Sequence, residues 1–252
     1  MKALNALRAE KEQPVKTDDL KKSNAEIEQD LVKAIDDSFL DRNTPAFKQV
    51  AGFHPSYTNQ CARYWYYLFQ GVEVTSTFSP QTYRIFDNGH GVHERLYSYF
   101  RKMGILVAEE IPVTYDSPPI TGTADGIIDF GGHKLIELKS ISNEGFEYRR
   151  IYNKPKDDHY RQAQIYMRCL GLDQAFVIYE NKNNQQILPI LIDVDDDFID
   201  KLFTKYKKFY KNFVEGNIPD QPYKMTSKNC SGCDLFSHCW SGDNGKKEYE
   251  PF

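Results

Sequence analysis

Gly131-Gly132 stands between two runs of strand-forming residues, Ile120–Phe130 and Lys134–Ser140. A two-residue glycine link accepts the left-handed φ angles that a tight hairpin turn demands, so it folds one run back on the other. Residues two apart on a strand share a face, so Glu137 and Lys139 point one way while Leu138 points into the core. Asp125, in Thr121-Gly122-Thr123-Ala124-Asp125-Gly126, lies near the middle of the first strand and is carried back toward Glu137. The hairpin thus gathers two carboxylates and one ammonium on one patch of a sheet.

The rest of the chain supplies the layers around that hairpin. A strand is expected over Ile105–Val113, ended by Pro112, and two more over Gln174–Tyr179 and Gln186–Asp193. Helical spacing marks Ser56–Leu68, Tyr83–Met103, Asp158–Cys169 (stopped by Gly171) and Asp196–Glu215 (stopped by Gly216). The order helix, three strands, helix, two strands, helix is that of an α/β core with a mixed sheet. Residues 1–45 read as a polar, helical or loosely docked arm, 46–222 as the core, and 223–252 as a short cysteine-rich segment. With 252 residues, 40% of them hydrophobic and 27% charged, the chain fits one globular core with appendages. No apolar run reaches the roughly 18–20 residues of a membrane span, and Lys2 to Glu12 lack an export signal's apolar centre, so a cytoplasmic protein is expected.

Two carboxylates side by side can hold Mg²⁺ or Mn²⁺ through oxygen ligands and so place a Lewis acid where phosphodiester hydrolysis needs one. A neighbouring lysine can orient water or neutralise charge on phosphate oxygens. An isolated E-x-K is more often a salt bridge on an exposed hairpin face, so the flanking residues decide. Upstream, Asn88-Gly89-His90-Gly91-Val92-His93-Glu94 lies on the helix before the sheet. Downstream, Gln162 and Tyr166 lie four apart, on one face of the next helix. The ordered set is G-x-x-x-H, G-x-x-D, E-x-K, Q-x-x-x-Y.

This set resembles the RecB-like branch of the PD-(D/E)XK nuclease superfamily over roughly residues 55–240, with Ala124 where the superfamily's name places proline. The resemblance implies a restriction-endonuclease-like core and a metal-dependent DNA exonuclease acting on single-stranded ends. It implies that His93, Asp125, Glu137 and the Leu138 carbonyl hold Mg²⁺ or Mn²⁺, and that Lys139 is the catalytic lysine. Gln162 and Tyr166 would contact DNA phosphate or brace the lysine. A structure-specific endonuclease, or a non-catalytic DNA-binding module, is the alternative of the same fold. Partners in recombination, repair or CRISPR adaptation accompany such enzymes.

Five cysteines, with no export signal, point away from a disulfide framework. Cys230, Cys233 and Cys239 form C-x2-C-x5-C, Cys61 lies far upstream in an aromatic helix, and Cys169 reads as a buried core thiol. Four thiolates suit Zn²⁺ or an iron–sulphur cluster. Similarity to the iron–sulphur members of the RecB-like group, the CRISPR-associated and AddB-type exonucleases, implies a [4Fe–4S] cluster on Cys61, Cys230, Cys233 and Cys239. That cluster would staple the front of the chain to its end. Zn²⁺, with His238 as a substitute ligand, is the other reading.

The net charge of −4 argues mildly against a nucleic-acid partner when taken as a whole. Charge is local, however: Arg149, Arg150, Lys154, Lys156, His159 and Arg161 cluster between the Glu–Lys strand and the Gln162 helix, where phosphate would arrive. Lys201, Lys205, Lys207, Lys208 and Lys211 line the last long helix, where a solvated face is the expected role. Tyr64, Trp65, Tyr66 and Tyr67 could stack on unpaired bases, but their helical spacing favours core packing.

Overall fold

The hairpin forms and then opens. In the computed structural model, which describes residues 22–39, 42, 50–72 and 78–241, β2 (Ile120–Asp129) and β3 (His133–Ile141) turn at Gly131 and Gly132 with φ of +65° and +99°. They pair from Asp129↔His133 only as far as Gly126↔Ile136. Beyond that point β2 stays with β1 (Leu106–Tyr115) down to Tyr115↔Ile120. β3 instead runs on parallel to β4 (Gln174–Asn181) up to Ile141↔Asn181. β5 (Ile187–Asp193) adds antiparallel to β4, giving a five-stranded sheet in the order β1-β2-β3-β4-β5. Only β3 and β4 are parallel, as expected of two strands joined by helices rather than by a turn.

Pro112 does not end β1 as the sequence suggested. It sits within the strand opposite Thr123, on an outer strand where a missing N–H on the solvent side costs nothing.

The chain divides into two compact units, Met1–Arg42 and Asn43–Phe252. In the first, α1 (Asn24–Asp37) starts with a capping box: Ser23 Oγ accepts from Glu26 N at 3.3 Å and Glu26 Oε2 accepts from Ser23 N at 2.6 Å. The remainder of the anticipated arm, residues 1–21, 40–41 and 43–45, lies outside the described residues.

In the second unit a 3-10 turn (Pro55–Tyr57) precedes α2 (Ala62–Phe69), and α3 (Pro80–Met103), α4 (Asn143–Tyr152), α5 (Asp157–Leu170) and α6 (Asp196–Val214) follow. Two short helices, α7 (Lys228–Ser231) and α8 (Phe236–Trp240), end the described chain. The helix expected from Ser56 is split, because Cys61 Sγ accepts the Tyr64 N–H at 3.4 Å and makes Cys61 the cap of α2. α4 was not expected from the sequence. Its signals are there all the same: Ser142 caps it by accepting from Gly145 N at 3.3 Å, Glu144 lies in its first turn, and Arg149 and Arg150 lie in its last.

Helices cover both faces of the sheet. Val92, Leu96 and Tyr97 of α3 pack on Ile128, Ile136, Leu138 and Ile178, while Ala163, Tyr166 and Met167 of α5 pack on Leu135, Ala175, Val177 and Tyr179. A third cluster joins α2 to α6 through Phe53, Trp65, Phe69 and Tyr206, with Phe53 stacked on Tyr206 at 4.4 Å. Tyr64, Trp65, Tyr66 and Tyr67 are all buried there, so they are core and present no face to a base. α6 buries Leu202, Phe203 and Tyr206 and exposes its lysines, as its spacing suggested. Among the described residues no helix is long and apolar enough to cross a membrane.

Candidate active site

The site occupies the fork where β2 and β3 separate. One step beyond the last backbone pair, Asp125 Oδ2 accepts the Leu138 N–H at 2.6 Å. A carboxylate has replaced a main-chain carbonyl as the acceptor, which holds the fork open without orphaning the amide. Glu137 faces the α5 side of β3 and is fully buried (0% exposed), so the pair with Lys139 is not a salt bridge on a solvated hairpin face. Neither Glu137 oxygen has a hydrogen bond of good geometry, although the Lys139 ammonium is in direct ionic contact with Oε1.

Burial raises the Glu137 carboxyl, Lys139 pulls it back, and Asp125 adds to the rise. Burial works to lower Lys139, but Glu137 and Asp125 outweigh it and hold the ammonium above the ordinary lysine value. At neutral pH Lys139 is therefore a cation and a proton donor, not a base.

His93 comes from α3, with Nε2 at 3.2 Å from the Leu138 carbonyl oxygen. Its Nδ1 lies 4.0 Å from Asp125 Oδ1 and equally 4.0 Å from Glu110 Oε1. α3 is fixed over the sheet by Arg95, which pairs with buried Glu180 of β4 (Nε to Oε2, 3.3 Å), and by Asn88 Nδ2 donating to Ser140 Oγ at 3.2 Å. On the other face, Gln162 is 7% exposed and Tyr166 fully buried; burial, Glu137 and Asp125 all raise the Tyr166 phenol. Tyr166 wedges against β2, because a Cβ at Gly122 would stand 2.8 Å from its hydroxyl and 3.0 Å from Pro55 Cδ. Gly122→Ala is accordingly expected to lower stability by about 1–3 kcal/mol. Tyr166→Phe in the same chain should restore part of that loss, as read from thermal unfolding.

Glu110 is the residue that the sequence reading missed. β1 pairs Glu109↔Gly126 and Ile111↔Ala124, and Glu110 between them has a left-handed backbone with φ of +48°. That conformation costs a glutamate about 1 kcal/mol or more. The single Tyr97 hydroxyl proton is shared between the Asp125 carbonyl at 2.7 Å and Glu110 Oε1 at 3.0 Å, so one phenol touches both strands at the fork.

The four proposed cluster cysteines also come together. Cys61, Cys230, Cys233 and Cys239 line one cavity of about 160 Å³, with Tyr67 and Trp240 among its walls. The segment after α6 is docked there by several contacts. Arg63 Nη1 donates to the Pro219 carbonyl at 2.9 Å, Gln221 Nε2 to the Cys239 carbonyl at 3.0 Å, and Tyr67 meets His238 edge-on at 4.5 Å. Burial raises the Cys61 thiol, its backbone N–H partners lower it, and Cys239 and Cys230 raise it again. Cys169 stands apart, partly buried against two core clusters, its thiol pushed up to about 12 by burial. Among the described residues no three His, Cys, Asp or Glu side chains stand within reach of a single ion, in this cavity or at the fork.

No protein-family model and no curated protein matches the sequence. Among solved structures, SSO0001 superposes with a TM-score of 0.50 at 18% identity, covering 85% of this chain and 96% of its own. That likeness concerns the fold: an α/β core with a mixed five-stranded sheet flanked by helices, the class expected from the sequence. LHK-Exo, an alkaline exonuclease from Laribacter hongkongensis, gives a TM-score of 0.49 at 18% identity over 67% of this chain and 91% of its own. A phage-related exonuclease from Haemophilus somnus gives 0.35 at 17% identity over 51% and 73%.

Proposed function

We propose that this chain is a metal-dependent nuclease that hydrolyses phosphodiester bonds of DNA, with His93, Asp125, Glu137 and the Leu138 carbonyl holding Mg²⁺ or Mn²⁺. The observation that carries the reading is what gathers at the fork: Glu137, a fully buried carboxyl in ionic contact with the Lys139 ammonium, Asp125, which acts on its charge, and His93 meeting the Leu138 carbonyl at 3.2 Å. Carboxylate and carbonyl oxygens with one imidazole are a donor set that suits Mg²⁺ or Mn²⁺. The 3.2 Å approach of His93 Nε2 to the Leu138 oxygen aims two donors at one point. When bound, the cation supplies a Lewis acid to the phosphoryl group.

The side chains do the remainder. Lys139, kept as an ammonium, neutralises charge on the phosphate oxygens and can give a proton to the leaving oxygen. Tyr166 and Gln162 close the α5 side of the fork and limit the freedom of Glu137 and Lys139. Glu110 would act through His93: its carboxylate, 4.0 Å from Nδ1, favours a proton there and so leaves Nε2 free to hold the cation. Glu110→Gly should relieve the left-handed strain and leave the melting temperature unlowered. It should nonetheless weaken Mn²⁺ binding, read by calorimetry, about tenfold.

The exonuclease assignment and the preference for single-stranded ends rest on the family resemblance. Digestion of linear against circular single-stranded DNA tests them, because efficient cutting of circles would make the enzyme an endonuclease. For the four cysteines we propose a structural [4Fe–4S] cluster, supported by their convergence on one cavity at the junction of α2 with the closing segment. Zn²⁺ at the same thiols is the competing assignment.

A further inference from the structure

The aromatic residues of α2 are buried, but α4 carries a different set at the surface. Tyr148, Ile151 and Tyr152 share one face of α4 by their i, i+3, i+4 spacing and are 53%, 67% and 62% exposed. The Tyr148 and Tyr152 rings lie 4.5 Å apart, tilted by 41°, and the Arg149 guanidinium lies 4.8 Å over the Tyr148 ring. Arg149 has no carboxylate partner among the described residues, whereas Arg150 is bound to Glu147 by a 2.9 Å hydrogen bond from Nε. Tyr148 and Arg149 line an open groove with Lys154, Lys156 and Arg161; of its three acids, Asp157 and Asp158 are paired to Lys154 (3.6 Å) and Lys156 (2.7 Å), and Glu144 lies in the first turn of α4.

This groove leads to the fork. β3 carries Lys139 and ends at Ile141, and Ser142 caps α4 directly after it. Lys139 is paired in register with Tyr179, whose hydroxyl accepts from Lys156 N at 3.0 Å and meets His159 Nδ1 at 3.0 Å. The groove floor is thus tied to the strand position beside the catalytic lysine. Burial and then Lys139 lower His159, against the pull of Asp158, to about 4, so the imidazole is neutral and adds no charge of its own.

We propose that Tyr148 and Tyr152 form a stacking platform for the unpaired bases of a single-stranded polynucleotide, whose phosphates pass over Arg149, Lys154 and Arg161 on the way to Lys139. The inference rests on the nuclease reading and narrows its substrate. Two adjacent exposed rings suit bases splayed from a single strand, which expose their π-faces, and not a duplex, which keeps them stacked inside. The unpaired arginine supplies the charge complementarity that an apolar protein partner would not require.

The test is binding of fluorescein-labelled oligothymidylate to the full chain with divalent cation chelated, beside a base-less strand of equal length and a blunt duplex. The double substitution Tyr148→Ala, Tyr152→Ala should weaken oligothymidylate binding roughly tenfold or more and leave duplex binding as it was. Tyr148→Phe with Tyr152→Phe should keep the affinity, because the ring and not the hydroxyl stacks. The base-less strand should bind the native protein no better than oligothymidylate binds the double alanine variant. Unchanged oligothymidylate affinity in that variant, or an equal loss on duplex and single strand, overturns the platform. If the native chain binds and cuts single strands while the variant matches it, only the platform fails. If the native chain binds no nucleic acid, the nuclease reading fails with it.

Discussion

Glu137→Gln should reduce divalent-cation-dependent cleavage by roughly a thousandfold or more while leaving the protein as stable as before, or more so. The substitution keeps the size of the side chain and removes a buried carboxylate whose charged form burial disfavours. Its former partner, Lys139, is 24% exposed and can turn to water, so no isolated buried charge is left behind. Lys139→Ala should behave oppositely in stability. It strands the Glu137 carboxylate and is expected to cost about 3 kcal/mol in cation-free buffer, with a substantial part recovered on adding Mn²⁺. Melting curves of the two variants with and without Mn²⁺ separate these signs. A common loss in both, insensitive to the cation, would mean that Glu137 and Lys139 form a structural ion pair and nothing more.

The second large effect is expected at the cysteines. The protein purified without oxygen should be brown, absorbing broadly around about 400 nm, and Cys230→Ser with Cys233→Ser should abolish the colour. Structural metal centres contribute on the order of 10 kcal/mol to folding, comparable with the whole net stability of a domain. The pair of substitutions should therefore lower solubility and expose the segment after Pro219 to proteases more than it lowers the intrinsic rate of whatever protein stays folded. Colourless anaerobic protein with stoichiometric zinc would refute the cluster, and full stability with lost cleavage would refute the staple.

What could be read in the sequence was local. Gly131-Gly132 and the alternation around it located the hairpin, and the spacing of Asp125, Glu137 and Lys139 placed three side chains together, because turn chemistry and period-two alternation act over a few residues. Depth was not legible: the alternation says which face Glu137 takes, not that α5 seals that face over it. The parting of β2 from β3 was hidden too, since it depends on the Asp125 carboxylate capturing the Leu138 amide across the hairpin. Glu110 gave no signal, as a left-handed glutamate is imposed by the ladder and by Tyr97 and not by its own preference. α4 was written plainly in its Ser142 cap and charge polarity, yet its basic residues drew the reading toward ligand binding and away from helix. α2 starts later than the spacing from Ser56 suggested, because a thiol, at Cys61, takes the capping role.

The most direct test is a time course of end-labelled single-stranded DNA with the anaerobically purified protein in Mg²⁺, in Mn²⁺ and in chelator, run beside Glu137→Gln and Lys139→Ala. Cleavage with either cation, absent in chelator and lost in both variants, is the predicted result. Cleavage that survives in chelator or in both variants, or no cleavage by the native protein under any of these conditions, would contradict a metal-dependent nuclease built on the fork between β2 and β3.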